Sequence, residues 1–235
     1  MSYYIGLSIL SNNHDNQNRG AGLQKLLSAE ARHILSRLED RPIAENDIAR
    51  EARGRPFFPD GDTDFSIAHS GTLAVVSLIK GKNLRTACDV ELVRHRSGAR
   101  EITEKFFTIP ERNHVLHNGQ FDLTRFYMIW TLKECFIKLR GLSVFDMAGL
   151  PSFINSEGFC PGHFTFDSAV SSPLSFGLYE LSGATGERYM LAAALEGTEE
   201  RQPEMRWFSQ SFLSCKSIAK IKAAPSPAET VSPKI

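Results

Sequence analysis

Cysteine is scarce in this chain: four residues in 235, Cys88, Cys135, Cys160 and Cys215. They stand far apart and form no C-x-x-C or cysteine–histidine cluster, which disfavours a structural zinc site and a disulfide scaffold and suits a reducing compartment. Net charge is absent too. The 27 Lys plus Arg balance 27 Asp plus Glu, so no overall field favours nucleic acid or an anionic membrane, and any basic site must be local. No apolar run approaches the ~18 residues needed to span a bilayer. Met1 to Leu10 has no basic leader region and is too short for a signal peptide, so it reads as a first strand, and the protein is expected to be cytoplasmic and monomeric. No serine lies in a G-x-S-x-G elbow, which disfavours a serine hydrolase of that kind.

What is present centres on Phe126 to Gly141. Ile129, Leu132, Phe136 and Leu139 recur at helical steps, and Gly141 stands where a left-handed C-terminal cap belongs. At about 100° per residue, Glu134 and Lys138 fall opposite that stripe, one turn apart. Two readings stay open. An exposed i,i+4 pair contributes only about 0.2–0.5 kcal/mol and has no function. Yet Tyr127, Trp130, Cys135 and Ile137 flank the charges, and a helix apolar nearly all round belongs in an interior, where charges need partners or a ligand.

Elsewhere, Ser11 to Gly22 reads as a loop, and Leu23 to Leu38 as an amphipathic helix whose Lys25, Arg32, His33 and Arg37 form a solvated face or, less commonly, an anion site. Gly54 to Gly61 is turn-rich and leads into a strand at Asp64 to Ser70. A hairpin turn at Ser70-Gly71 and a return strand from Leu73 to Ile79 follow. Leu84 to Glu91 is a further strand, in which alternation puts Asp89 and Glu91 on one side and Cys88 and Val90 on the other. Two carboxylates on one face repel, so a cation should stand beside them, and a metal ion with oxygen ligands is the economical candidate. Ile102 to Phe107 reads as helix, Asn113 to Gln120 as a polar loop, and Ser175 to Leu181 with Arg188 to Leu195 as a second hairpin. Met205 to Lys222 mixes aromatic and basic residues without an acid and leaves three options: docking on the body, meeting a partner or touching a membrane surface. Ala223 to Ile235 reads as a disordered tail.

The order Gly54-Arg55-Pro56, Ser66-Ile67-Ala68-His69-Ser70, Ala87-Cys88-Asp89-Val90-Glu91, Phe106-Phe107 before Pro110-Glu111, and Trp130-Thr131-Leu132-Lys133-Glu134-Cys135-Phe136-Ile137-Lys138 resembles the 4′-phosphopantetheinyl transferases of the two-lobed, surfactin-synthetase-activating type. The resemblance spans roughly residues 23 to 195. It implies an α+β pseudo-dimer of two similar lobes, each a small antiparallel sheet packed with a long helix, with an active-site cleft between them. The lobes are expected at 1–81 and 82–195, followed by a partly disordered extension at 196–235, and deletion after about residue 200 is expected to spare transfer in vitro.

The implied activity is Mg²⁺-dependent transfer of the phosphopantetheine arm of coenzyme A to a serine of an acyl, peptidyl or aryl carrier protein, with release of adenosine 3′,5′-bisphosphate. By position, Asp89, Glu91 and Glu134 would hold the metal. Glu134 would also take the serine proton, and Lys138 would assist transfer. Arg55 and His69 would contact coenzyme A phosphates, with Lys133 a further candidate. Ala68 departs from the family's usual serine, and Arg55 from its usual lysine, a mild change because Arg binds phosphate bidentately. Two alternatives remain: a non-catalytic coenzyme A or nucleotide-binding relative, and, for His69, a hairpin-end histidine with no ligand.

Overall fold

The structure, a computed structural model, describes residues 2–10, 21–59, 61–155, 158–159, 173–183, 186–197, 202–208 and 212–223. Its principal elements are β1 (Tyr3–Ile9), α1 (Ala21–Glu39), β2 (Thr63–Ser70), β3 (Leu73–Lys80), β4 (Arg85–Leu92), α2 (Ala99–Phe106), α3 (Ile109–Val115), α4 (Leu123–Arg140), β5 (Leu174–Gly183), β6 (Arg188–Glu196), β7 (Glu204–Trp207) and β8 (Phe212–Ala223). The loop expected at Ser11 to Gly22 lies outside the described residues up to Gly20, and Ala21 and Gly22 open α1. The expected disorder of the tail, from Ala224 onward, also lies outside them.

The protein is a mixed α+β molecule with two four-stranded sheets, ordered β7-β1-β3-β2 and β8-β5-β6-β4. Strand periodicity explains how each sheet serves two cores. Along β3, Leu73 and Val75 face the other sheet, while Ala74, Val76 and Leu78 pack under α1 with Leu27, Ile34 and Leu35. Along β6, Tyr189, Leu191 and Ala193 join the inter-sheet core, whereas Met190, Ala192 and Ala194 pack under α4. The layers therefore run α1, first sheet, second sheet, α4. Gly6 on β1 permits close approach of α1, because a Cβ there would stand 2.3 Å from Ile34 Cγ2.

The first sheet departs from expectation in direction. β7 pairs parallel with β1, so this sheet is mixed rather than antiparallel. The chain reaches β7 only after completing β6 of the second sheet, and enters the open edge of β1 running the same way. The basic segment is docked on the body by strand addition. β7 extends the first sheet and β8 the second, antiparallel to β5, with Ile221 fully buried. Of the three options its sequence leaves open, the structure takes docking.

Candidate active site

The site is built where α4 crosses β4. Asp122 starts α4 by accepting the Thr124 and Arg125 N–H groups at 2.9 and 3.1 Å, and Gly141 ends it in the left-handed conformation, φ 61°. Between these caps the helix is buried nearly all round. Its packing on β4 and β6 brings the stripe Trp130, Glu134, Lys138 over the face of β4 that carries Asp89 and Glu91. Helix and strand run oppositely here, since Trp130 meets Glu91 and Lys138 meets Asp89. Cys88 and Val90 turn to the inter-sheet core, as strand alternation requires.

Each acid has its own environment. Lys138 Nζ donates to Asp89 Oδ1 at 2.7 Å, while Asp89 Oδ2 is buried with no protein partner. Glu91 is held at both oxygens: Trp130 Nε1 donates to Oε1 at 3.1 Å and Ser70 Oγ to Oε2 at 3.0 Å. Arg96 lies 3.7 Å from Oε1 and stacks 4.9 Å over the Trp130 ring. Glu134 is pushed up to about 7, first by burial and then by the negative charge of Asp89, with Glu91 adding to it and Lys138 opposing. Burial also raises Asp89, against the pull of Lys138. Burial alone would lower Lys138, but Asp89 reverses this and holds the ammonium charged. Three carboxylates thus share one field with Lys138 and Arg96, an excess of negative charge that favours a further cation.

Magnesium takes oxygen donors and keeps several waters, so one or two protein carboxylates suffice. The unpartnered Asp89 Oδ2 and the strained charge of Glu134 fit such an ion. Among the described residues no group of three or more acidic, histidine or cysteine side chains is already gathered for a metal.

The remaining expected residues are placed differently. His69, at the end of β2, is lowered by burial, partly offset by a backbone hydrogen bond and reinforced by the charge of Lys138, so it belongs to the same field. Arg55 is 9 % exposed and bonds Asp64 bidentately at 2.9 and 2.6 Å, with a further donation to the Thr86 carbonyl. It borders a cleft of about 660 Å³ lined also by Lys82, Arg85, Asp62 and Phe57, to which neither Asp89 nor Glu134 contributes. Lys133 points away from the acids. It is fully buried 3.1 Å from Glu111, itself fully buried and accepting from the Thr108 and Phe153 N–H groups. The i−1 position beside Glu134 gave no sign of this, since neighbours on a helix face about 100° apart. Arg96 stood out in no sequence pattern, while Ser70 and Trp130 stood within the motifs without a role toward Glu91.

Residues 85–173 match the sequence profile of the 4′-phosphopantetheinyl transferase superfamily. The matched stretch covers less than half of the chain. It contains Asp89, Glu91, Trp130, Glu134 and Lys138 and stops short of β5 and β6. The chain is similar to the 4′-phosphopantetheinyl transferase AcpT of Escherichia coli O157:H7, 30% identical over 128 residues, 53% of this chain and 60% of that protein. It is also similar to AcpT of Salmonella typhi, 28% identical over 137 residues (57% and 69%), and to the 4′-phosphopantetheinyl transferase Sfp of Bacillus subtilis, 29% identical over 112 residues (47% and 48%). The matched region spans about three-fifths of the Escherichia coli relative.

Proposed function

We propose that this protein transfers the 4′-phosphopantetheine arm of coenzyme A to a serine of a carrier protein, with Mg²⁺ as cofactor and adenosine 3′,5′-bisphosphate as the second product. The observation that carries the reading is the meeting of Asp89, Glu134 and Lys138 at the crossing of α4 and β4, with one buried Asp89 oxygen left for a ligand. The superfamily match over the same residues supports it.

Asp89 and Glu134, with Glu91 behind them, would hold the ion, which when bound supplies positive charge to the pyrophosphate. Glu134 accepts the proton of the carrier serine, directly or through water. The serine oxygen bonds to the pantetheine-side phosphorus, and the bridging oxygen leaves with its electron pair on the nucleotide bisphosphate. Lys138, one turn along α4, places a permanent charge where that leaving phosphate becomes more negative. His69, whose proton affinity burial lowers, offers a hydrogen bond to a coenzyme A phosphate. A phosphate contact from Arg55 would share the guanidinium with Asp64, which it already bonds bidentately. Lys133, enclosed with Glu111, is assigned no contact. We further propose that 1–81 and 82–195 act as two lobes of a monomer, with coenzyme A between them.

The competing reading, a coenzyme A-binding module without transfer, is separated by two measurements on the same preparation. Calorimetric titration of coenzyme A with and without Mg²⁺ reports binding, and mass spectrometry of a panel of apo carrier proteins reports transfer. Gain of one phosphopantetheine on a carrier serine is the expected result. Tight coenzyme A binding with no mass gain on any carrier would leave the binding module standing.

A further inference from the structure

Three donors from three separate parts of the chain converge on Glu91. Ser70 closes β2 of the first sheet, Trp130 lies on α4, and Arg96 is in the link between β4 and α2. Trp130 is 6 % exposed and has one polar hydrogen, which it spends on Glu91 rather than on a backbone carbonyl. Arg96 fixes the ring plane from above while reaching the same carboxylate oxygen. Ser70 accepts the Leu92 N–H at 3.0 Å and so has its own proton aimed at Glu91. Asp89, by contrast, keeps a free oxygen. The carboxylate beside the site is therefore oriented by the protein before any ligand arrives.

We propose that Trp130 and Ser70, aided by Arg96, are positioning residues that hold Glu91 toward the cation held by Asp89 and Glu134. This rests on the phosphopantetheinyl-transfer reading. Because Ser70 belongs to the first sheet and Glu91 to the second, the hold also ties the packing of the two sheets to the affinity of the site. Groups that orient metal-side carboxylates typically change metal affinity by about 10- to 100-fold when removed. Packing alone would predict no such change.

The test uses the full chain. Trp207, on β7, is the second of two tryptophans, so Trp207→Phe leaves Trp130 as the sole emitter. Mg²⁺ titration should change that emission, with the midpoint found by calorimetry. Trp130→Phe, which keeps a ring but no donor, and Ser70→Ala should each weaken Mg²⁺ binding about tenfold, whereas Ser70→Thr, which keeps the hydroxyl, should restore it to within about twofold. Coenzyme A affinity in EDTA should stay constant throughout. Mg²⁺ affinities within about twofold of wild type in both variants would overturn the positioning role alone. Parallel loss of metal-free coenzyme A binding would reduce the residues to structural supports and overturn it too. Absence of Mg²⁺ binding by the unsubstituted chain, with or without coenzyme A, would overturn this role together with the metal-dependent reading beneath it.

Discussion

Lys138 Nζ stands 2.7 Å from Asp89 Oδ1, while Oδ2 of the same buried carboxylate meets no protein donor. One oxygen is thus neutralised by the chain and the other left for a ligand. Lys138 has two tasks in this arrangement: counter-charge to Asp89 in the free protein, and stabiliser of a departing phosphate in the proposed reaction.

Lys138→Ala should separate these tasks. Turnover is expected to fall about 10²-fold, with a smaller loss in coenzyme A affinity, because the charge matters most in the transition state. In EDTA the variant should also be less stable by about 1–2 kcal/mol, a figure reduced for the part-exposed lysine. Added Mg²⁺ should raise its melting temperature more than that of wild type. Equal Mg²⁺ shifts, or a loss confined to coenzyme A affinity, would count against the dual role.

Glu134 gives a pH signature. Its proton affinity is raised by burial and by Asp89 to about 7 in the folded chain, from an ordinary 4.5. The folded state therefore binds the proton more tightly than the unfolded state. Stability from this group is complete at low pH and is lost as pH rises through about 7. Glu134→Gln removes the titration, so in EDTA at pH 8 it should melt several °C above wild type, and the gap should narrow sharply near pH 5. Its transfer activity should be nearly abolished at both pH values. A gap that persists unchanged at pH 5 would contradict the assignment.

Lys133 and Glu111 form an enclosed ion pair, 0 % exposed on both sides. Either single replacement, Lys133→Met or Glu111→Gln, leaves one buried charge uncompensated and should cost about 3–5 kcal/mol by chemical denaturation. Coenzyme A affinity of the remaining folded protein should be unchanged. A tenfold loss of that affinity at undiminished stability would restore Lys133 as a cofactor contact.

The C-terminal strands alter one expectation. Removal of the chain after about residue 200 is expected from the sequence to spare transfer, yet it deletes an edge strand from each sheet, including the buried Ile221. Phe208, just beyond β7, also packs against the α1 core under Arg37. Truncation should lower the melting temperature sharply or yield insoluble protein, and Ile221→Ala alone should cost about 2–5 kcal/mol. A truncated chain as stable as the full one would show these strands to be dispensable.

The long helices and both hairpins were legible because their apolar spacing is strong: α1, α4, the β2–β3 hairpin and the β5–β6 hairpin fall where periodicity puts them. The placement of Asp89 and Glu91 on one face followed from strand alternation and holds. What escaped was long-range. Nothing local in Glu204 to Trp207 says that it will run beside β1, some 200 residues earlier, and direction of pairing is set by the path between sheets. The partners of Arg55 and Lys133 escaped for the same reason. Asp64 and Glu111 are ordinary acids in sequence and become counter-ions only once the chain is folded.

The central claim is tested most directly by incubating the full chain with coenzyme A, Mg²⁺ and an apo carrier protein, and weighing the carrier. Transfer by Glu134, Asp89 and Lys138 requires a gain of one phosphopantetheine on the carrier serine, its loss in EDTA and in Asp89→Ala, and no gain on a carrier whose serine is alanine. A full mass gain with Asp89→Ala, or none with the unsubstituted chain on any carrier of a broad panel, would contradict it.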